Sequence, residues 1–255
     1  MLLTRVGVGV VMTARMLRRN RLALLLLVLI PVLFLGFILV TTAERRVPIE
    51  LPAAGAGALR DVSQRAEGVV FVSLAAVGVL TAFLSLDLLQ RDAEVTRRLV
   101  QCGYHPWEVI ATRLVVLAGV IVAVATLNTA VVASVFAPAH TLRVWAGFLL
   151  GGYVYGGYGL LVGALVRREL EGILCVALLA NMDVGWVQNP IYYAGAQHKE
   201  VIRALPAYWP SQVSMLGAFT DEPVGRAALW ALAYGAALLL LALLAFGMRV
   251  RATAR

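Results

Sequence analysis

Charge is scarce in this chain of 255 residues: Asp, Glu, Lys and Arg together make up 14%, against about 25% in an average soluble domain. Lysine occurs once, at Lys199, and histidine three times, at His105, His140 and His198. The two cysteines, Cys102 and Cys175, offer neither a disulfide framework nor a metal-ligand spacing. Each shortage excludes a chemistry. With no G-x-x-x-x-G-K-[ST] sequence, and its one lysine far from any such loop, the chain holds no Walker-type ATP site. G-x-S-x-G, H-E-x-x-H and C-x-x-C are absent as well. The three histidines fall in three separate loops, which argues against a shared metal or a histidine relay.

What is present is apolar. Hydrophobic residues make up 61% of the chain and the mean hydropathy is +0.86, which excludes an ordinary water-soluble domain. That content suffices for about five to seven spans of about 20 residues. The runs are continuous and rich in Leu, Val and Ala, not the alternating strands of a membrane barrel. Six segments emerge, at 22–42, 69–89, 109–136, 144–166, 172–193 and 227–248. The third exceeds about 20 residues, so it tilts or begins as a cytosolic helix. The expected fold is a single all-α, polytopic transmembrane domain over 1–255: an interfacial segment at 1–21, a six-span bundle at 22–248 and a short tail at 249–255.

Net charge is +8, a balance that in a soluble protein would point to nucleic acid. Here the basic residues flank apolar runs, which orients spans and meets anionic headgroups instead. With the N-terminus inside, fourteen Lys and Arg fall in inner flanks and eight in outer ones, so both termini are expected in the cytosol. The first outer loop offsets four Arg with Glu44, Glu50, Asp61 and Glu67. Residues 1–43 are read as retained, because the first apolar run exceeds the 7–15 residues of a signal core. Residues 2–17 set Leu2, Leu3, Val6, Val10 and Leu17 on one side of a helix and Arg5, Arg15, Arg18 and Arg19 on the other. That is the pattern of a helix lying in the headgroup plane, or simply of a basic flank.

Between spans two and three runs DLLQRDAEVTRRLVQCGYHPWEVIATR. Its opposite charges at spacings of three and four suit a helix continuing past the membrane. Gly103 ends that helix, Pro106 starts the next, and Glu108 falls in its positive first turn. The result is either a rigid cytosolic elbow or an ordinary charged hairpin. Span four places Gly152, Gly156, Gly159 and Gly163 on one stripe for close helix approach. Tyr155 and Tyr158 project from a neighbouring face, where they line a solute path or hydrogen-bond to adjacent helices. The outer stretch 189–226, with Pro190, Tyr192, Tyr193, Pro206, Tyr208, Trp209, Pro210 and Pro223, suits a segment dipping into the interface. Among the spans only Asp87, at an inner end, and Asp183, within span five, carry acid. A carboxylate facing lipid at mid-depth costs at least about 2.5 kcal/mol, so Asp183 faces the bundle, a partner or water. It shapes an outer gate or serves as a polar anchor.

Taken together, the interfacial segment, the six spans, the loop RDAEVTRRLVQCGYHPWEVIATRL, the segment LVGALVRRELEGI after span four and LPAYWPSQVSMLGAF before span six resemble the membrane permease subunit of type-2 ABC exporters. The resemblance implies a cytosolic coupling helix at 94–107, with Glu94, Arg97, Arg98, Gly103, Tyr104, His105 and Pro106 against a separate ABC ATPase subunit. It implies short re-entrant helices at 206–219 before span six. Tyr155, Tyr158, Asp183, Tyr208 and Trp209 are then the candidates for the translocation path or its gate. The partners would be the ATPase, a second permease chain (identical or related) and membrane lipids, in the plasma membrane of a bacterium. The chain itself would hold no cofactor and do no bond chemistry, ATP and Mg residing in the ATPase. The cargo would be a drug, antibiotic or peptide, or a polysaccharide or lipid. The outer loop at 43–68 is short, so no large extracellular domain is expected. Two other classes stay open: a proton-coupled secondary transporter working through Asp183, and a membrane scaffold without transport. An intramembrane enzyme ranks last, since no carboxylate, His or Ser constellation converges.

Overall fold

A computed structural model describes residues 2–19, 21–55, 59–90, 106–166 and 168–253. The amphipathic N-terminal segment forms α1 (Leu2–Arg19), and the first apolar run forms α2 (Arg21–Thr41), which carries Pro31 inside it. Two strands follow, β1 (Arg46–Glu50) and β2 (Leu59–Ser63), paired antiparallel from Arg46 opposite Ser63 to Glu50 opposite Leu59. Then come α3 (Gln64–Gln90), α4 (Pro106–Val135) and α5 (Thr141–Leu165). Next, α6 (Glu169–Met182) runs into a wide π turn at Asp183–Val187. Three shorter helices, α7 (Pro190–Gly195), α8 (Lys199–Arg203) and α9 (Tyr208–Phe219), lead to the last long one, α10 (Gly225–Thr253).

Among the described residues five helical stretches are long and apolar enough to cross a membrane: Gln64–Gln90, Trp107–Val135, Thr141–Leu165, Glu169–Val187 and Gly225–Met248. A shorter apolar stretch, Leu27–Thr41, lies in α2. The architecture is that of a predominantly helical, polytopic membrane protein. At 30 residues, α4 measures about 45 Å at 1.5 Å per residue, more than a hydrocarbon core of about 30 Å.

The centre of the bundle is α5, because its glycines let neighbours approach from several sides. A Cβ on Gly147 would lie 2.6 Å from the backbone nitrogen of Ser214 in α9, and one on Gly159 would run into the Ala82 carbonyl of α3. Gly152 and Gly156 face Ile121 of α4, and Gly157 faces Leu238 of α10. The stripe read from the sequence is therefore the seat of α3 and α4. Phe148, Val154 and Tyr155 are fully buried there, with Val77 of α3, Val124 of α4 and Leu216 of α9. By contrast, only 22% of the α10 window and 28% of the Glu169–Val187 window are buried, against 67% in α3 and α5. The apolar perimeter thus includes α6 and α10, together with α2, where Leu33, Phe34, Phe37 and Val40 are exposed.

Two expectations need correction. The stretch 43–68 is not a plain loop: its first strand alternates Val47 and Ile49 with Arg46, Pro48 and Glu50, the period-2 pattern of a strand with one face buried. Ile49 and Leu51 are fully buried, and α3 starts at Gln64, ahead of the expected 69. The fifth span does not reach Tyr193. Its helix widens at Asp183 and stops, because Asn189 caps a new helix by accepting the Ile191 N–H (2.9 Å) and Pro190 occupies the first turn. Tyr193 therefore lies in α7.

Candidate functional site

Asp183 sits at the junction of α6 and the π turn, with no solvent exposure. Its carboxyl accepts three hydrogen bonds. The Tyr155 hydroxyl of α5 donates to Oδ2 over 2.5 Å, the Ala207 backbone N–H donates to the same oxygen over 2.8 Å, and Gln188 Nε2 donates to Oδ1 over 2.8 Å. Gln188 Nε2 also reaches the Ile202 carbonyl of α8 at 3.2 Å. Ala207 stands immediately before α9, where a helix leaves N–H groups unpaired and favours negative charge. Asp183 thereby ties α5, α6 and the start of α9 together, and Gln188 extends the link to α8.

Local sequence explains how these groups meet. A Cβ on Gly78 of α3 would lie 3.3 Å from the Tyr155 ring, so the glycine lets that ring lie against α3 on its way to Asp183. Tyr158, one turn further along α5, donates its hydroxyl to the Cys175 carbonyl of α6 at 3.0 Å and meets Tyr155 edge-on at 6.1 Å. Beyond Ala207, Tyr208 packs between Tyr193 (6.0 Å) and Trp209 (4.9 Å), and Trp209 stacks on Trp230 of α10 at 5.9 Å. Burial, reinforced by Tyr193, pushes the Tyr208 hydroxyl above the usual phenol range, so it stays a neutral donor and acceptor. The Tyr193 hydroxyl accepts from Arg203 Nε at 3.0 Å.

Beyond this cluster, Lys199 Nζ pairs with Glu50 Oε2 of β1 at 2.6 Å, and the Ala53 N–H donates to Gln212 Oε1 of α9 at 3.3 Å. The hairpin is thus fastened onto the short helices. Tyr234 of α10 adds a bond to the Ala204 carbonyl at 3.0 Å.

The structure therefore joins Tyr155 directly to Asp183, sets Tyr208 and Trp209 one and two residues beyond Ala207, and leaves Tyr158 bonded to α6 through the Cys175 carbonyl. Both tyrosine hydroxyls are used in helix-to-helix bonds. The three donors on Asp183 occupy most of the sites its two oxygens offer, so the cluster is built to hold helices together. Glu94, Arg97, Arg98, Gly103, Tyr104 and His105 lie outside the described residues, while Pro106 opens α4.

Sequence reasoning placed Glu67 in the outer loop, yet it is 2% exposed in the first turn of α3, with Oε1 lacking a hydrogen-bond partner. Its position four residues into that helix is where the helix dipole favours an acid. Elsewhere several polar side chains of the spans donate within their own helix, although Asn128 Oδ1 and Gln90 Oε1 are buried without a partner. Thr81, Ser85, Asn128 and Thr129 each donate to the carbonyl four residues earlier in the same helix. Among the described residues no His, Cys, Asp and Glu group could hold a metal ion. No protein-family model matches this chain, and no curated protein does.

Proposed function

We propose that the chain is the permease subunit of an ATP-driven ABC exporter of the type-2 class. It forms, with a second permease chain, the path for a hydrophobic or amphipathic drug, antibiotic or peptide. In this reading α2 completes a six-span layout, both termini face the cytosol of a bacterium, and the short helices before α10 are re-entrant. ATP and Mg belong to a separate ATPase. Cargo of the polysaccharide or lipid class would use the same architecture.

The observation that carries the reading is the adjacency of the ends of α3 and α4. Leu89 near the end of α3 and Ile110 and Arg113 near the start of α4 line one small cavity. The chain passes from the end of α3 to the start of α4 through residues 91–105, which include Arg97 and Arg98. A push on that segment would act on both helices at once, as coupling to an external motor requires.

Co-expression with the neighbouring genes and affinity purification tests the proposal: an ATPase is expected to co-purify. Charge reversal at Arg97 and Arg98 is expected to abolish transport-linked ATPase stimulation while the chain still folds. Absence of any ATPase partner, or full stimulation in the reversal variant, refutes it.

A proton-coupled transporter remains the second reading, and buried Glu67 with its unpartnered oxygen is the observation that favours it. Asp183, already holding three donors, is the weaker candidate for that role. Transport without any ATPase, lost in Glu67→Gln, would establish this reading in place of the first.

A further inference from the structure

Large aromatic side chains gather beside Gly151, near the middle of α5. Pro210 of α9 packs 3.8 Å from where a Cβ on Gly151 would lie, and its neighbour Trp209 stacks on exposed Trp230 of α10. Exposed Trp186 and Tyr192 meet edge-on at 6.0 Å. Val184, two residues before Trp186, lies with Tyr155 against Gly78 of α3, about one turn away. Indole and phenol rings, apolar with one polar tip, favour the boundary between headgroups and acyl chains.

The surface of the molecule changes at the same level. Residue 204, just past α8, accepts the Tyr234 hydroxyl of α10, and α8 itself exposes Glu200 and Arg203. The β1–β2 hairpin runs from the start of α3, where the Gln64 N–H donates to the Arg45 carbonyl, down to Ala53 on Gln212, two residues past Pro210. Arg60 and Asp61 of β2 are exposed, and this sheet has only two strands, so its edges are open. On α4, Ile121 lies against Gly152, and Val122 is the last large apolar side chain exposed. Past it the exposed residues of α4 are Ala123, Thr126, Ala130, Ala133 and Ser134.

Helical rise fits a bilayer edge here. From Trp230 to Met248, α10 covers about 27 Å at 1.5 Å per residue, close to a hydrocarbon core of about 30 Å. We infer that Trp186, Tyr192, Trp209 and Trp230 form a collar seated in one headgroup layer of the bilayer. The hairpin, and the last 15 Å or so of α5 from Gly151 back to Thr141, then stand outside the hydrocarbon. On α2, exposed Phe37 and Val40 reach past the collar, since Ile38 lies beside Gly68. Two apolar side chains left in water weigh less than Arg60, Asp61, Glu200, Arg203 and an open strand edge placed in hydrocarbon. The inference does not depend on the exporter proposal, in which α7, α8 and α9 would then turn back at the headgroup layer.

The full chain in lipid nanodiscs, open to water on both faces, provides the test. Two variants keep a single tryptophan, Trp186 or Trp230, with the other four replaced by phenylalanine. Phosphatidylcholine brominated near the ester end of its acyl chains is expected to quench each more strongly than phosphatidylcholine brominated near the methyl end. A bilayer edge at Thr141 would put both tryptophans about 15 Å down, at the midplane, and reverse that order. Such a reversal overturns the inference. Thiol labelling decides independently on chains that need fewer changes. In a Cys102→Ser, Cys175→Ser background, Leu59→Cys in the hairpin should react with a charged maleimide at least about tenfold faster than Leu241→Cys, because hydrocarbon excludes the reacting thiolate. Both leucines are exposed on the chain, so equal rates would place the hairpin at the same depth as α10 and refute the collar.

Discussion

If Asp183 is a clasp, its energy must be shared with Tyr155 and measurable as coupling. Tyr155→Phe removes the hydroxyl that donates to Oδ2 at 2.5 Å and leaves the Ala207 and Gln188 donors in place. Asp183→Asn keeps the shape but turns one oxygen into a donor. With its remaining oxygen facing Tyr155 and Ala207, the new amide points at Gln188 Nε2, donor against donor. Gln188 relieves this by turning its own amide, and then loses its bond to the Ile202 carbonyl. Each variant is expected to cost about 1–3 kcal/mol, the penalty for a buried polar partner lost. Bonds between membrane helices couple by about 0.6 kcal/mol on average and about 1.7 at most. The Tyr155–Asp183 bond should fall near the upper figure, being short and fully buried with a carboxyl acceptor. A double-mutant cycle of Tyr155→Phe with Asp183→Ala, which removes the acceptor altogether where Asp183→Asn would still accept from Tyr155, reads this directly on the purified protein unfolded by SDS titration and followed by tryptophan fluorescence. A coupling of about 1.5 kcal/mol supports the clasp. Additivity within about 0.3–0.5 kcal/mol, the scatter of independent sites, refutes it.

Two further outcomes follow from close packing and from the Lys199–Glu50 ion pair. Gly159→Ala drives a methyl into the Ala82 carbonyl and should lower stability by about 1–3 kcal/mol, the usual cost of overpacking. Gly36→Ala, whose Cβ meets nothing within 4 Å, should not lower it, and equal loss in both would count against this packing. Lys199→Met removes the pair with Glu50, whose side chain is only 14% exposed. Amide exchange in the hairpin at 46–63 should then speed up several-fold while α3 and α5 keep their protection, consistent with about 1 kcal/mol for a pair near the surface. Unchanged exchange in the hairpin would show that Ala53 and Gln212 suffice to hold it.

Much of the long-helix framework is legible from hydropathy alone, because a continuous apolar run of about 20 residues has few alternatives to a buried or spanning helix. The glycine stripe of α5 is legible for a related reason: small residues at helical spacing mark close approach whatever the neighbour. Which helix approaches is not, since any apolar face satisfies such a stripe, and α3, α4, α9 and α10 all bear on α5. The β1–β2 hairpin is not legible, because two strands of five residues between long apolar helices read as an ordinary polar connection. The early end of α6 was masked by hydrophobicity continuing through Val187 and on into α7. The signal was there in Asn189-Pro190, a cap residue followed by a first-turn proline.

At the site the division is sharper. An acid in an apolar run announces itself by its cost, so the sequence points to Asp183 and to Tyr155 without showing that they meet. Their separation of 28 residues is beyond local pattern, and the Ala207 donor is a backbone group that carries no signature at all. Glu67, by contrast, reads from the sequence as part of a loop. It precedes the apolar run by one residue, Gly68, and only the start of α3 at Gln64 carries it inside. Of these two buried acids, Asp183 has its donors supplied by the fold and Glu67 has an oxygen without one. An acid already holding three donors gains little by taking up a proton, whereas an unpartnered oxygen is relieved by one. Any proton dependence of transport should therefore survive substitutions that spare Glu67. Asp183→Asn is expected to register first as lost stability, and a variant of Asp183 that lost proton dependence with its unfolding unchanged would reverse the two roles.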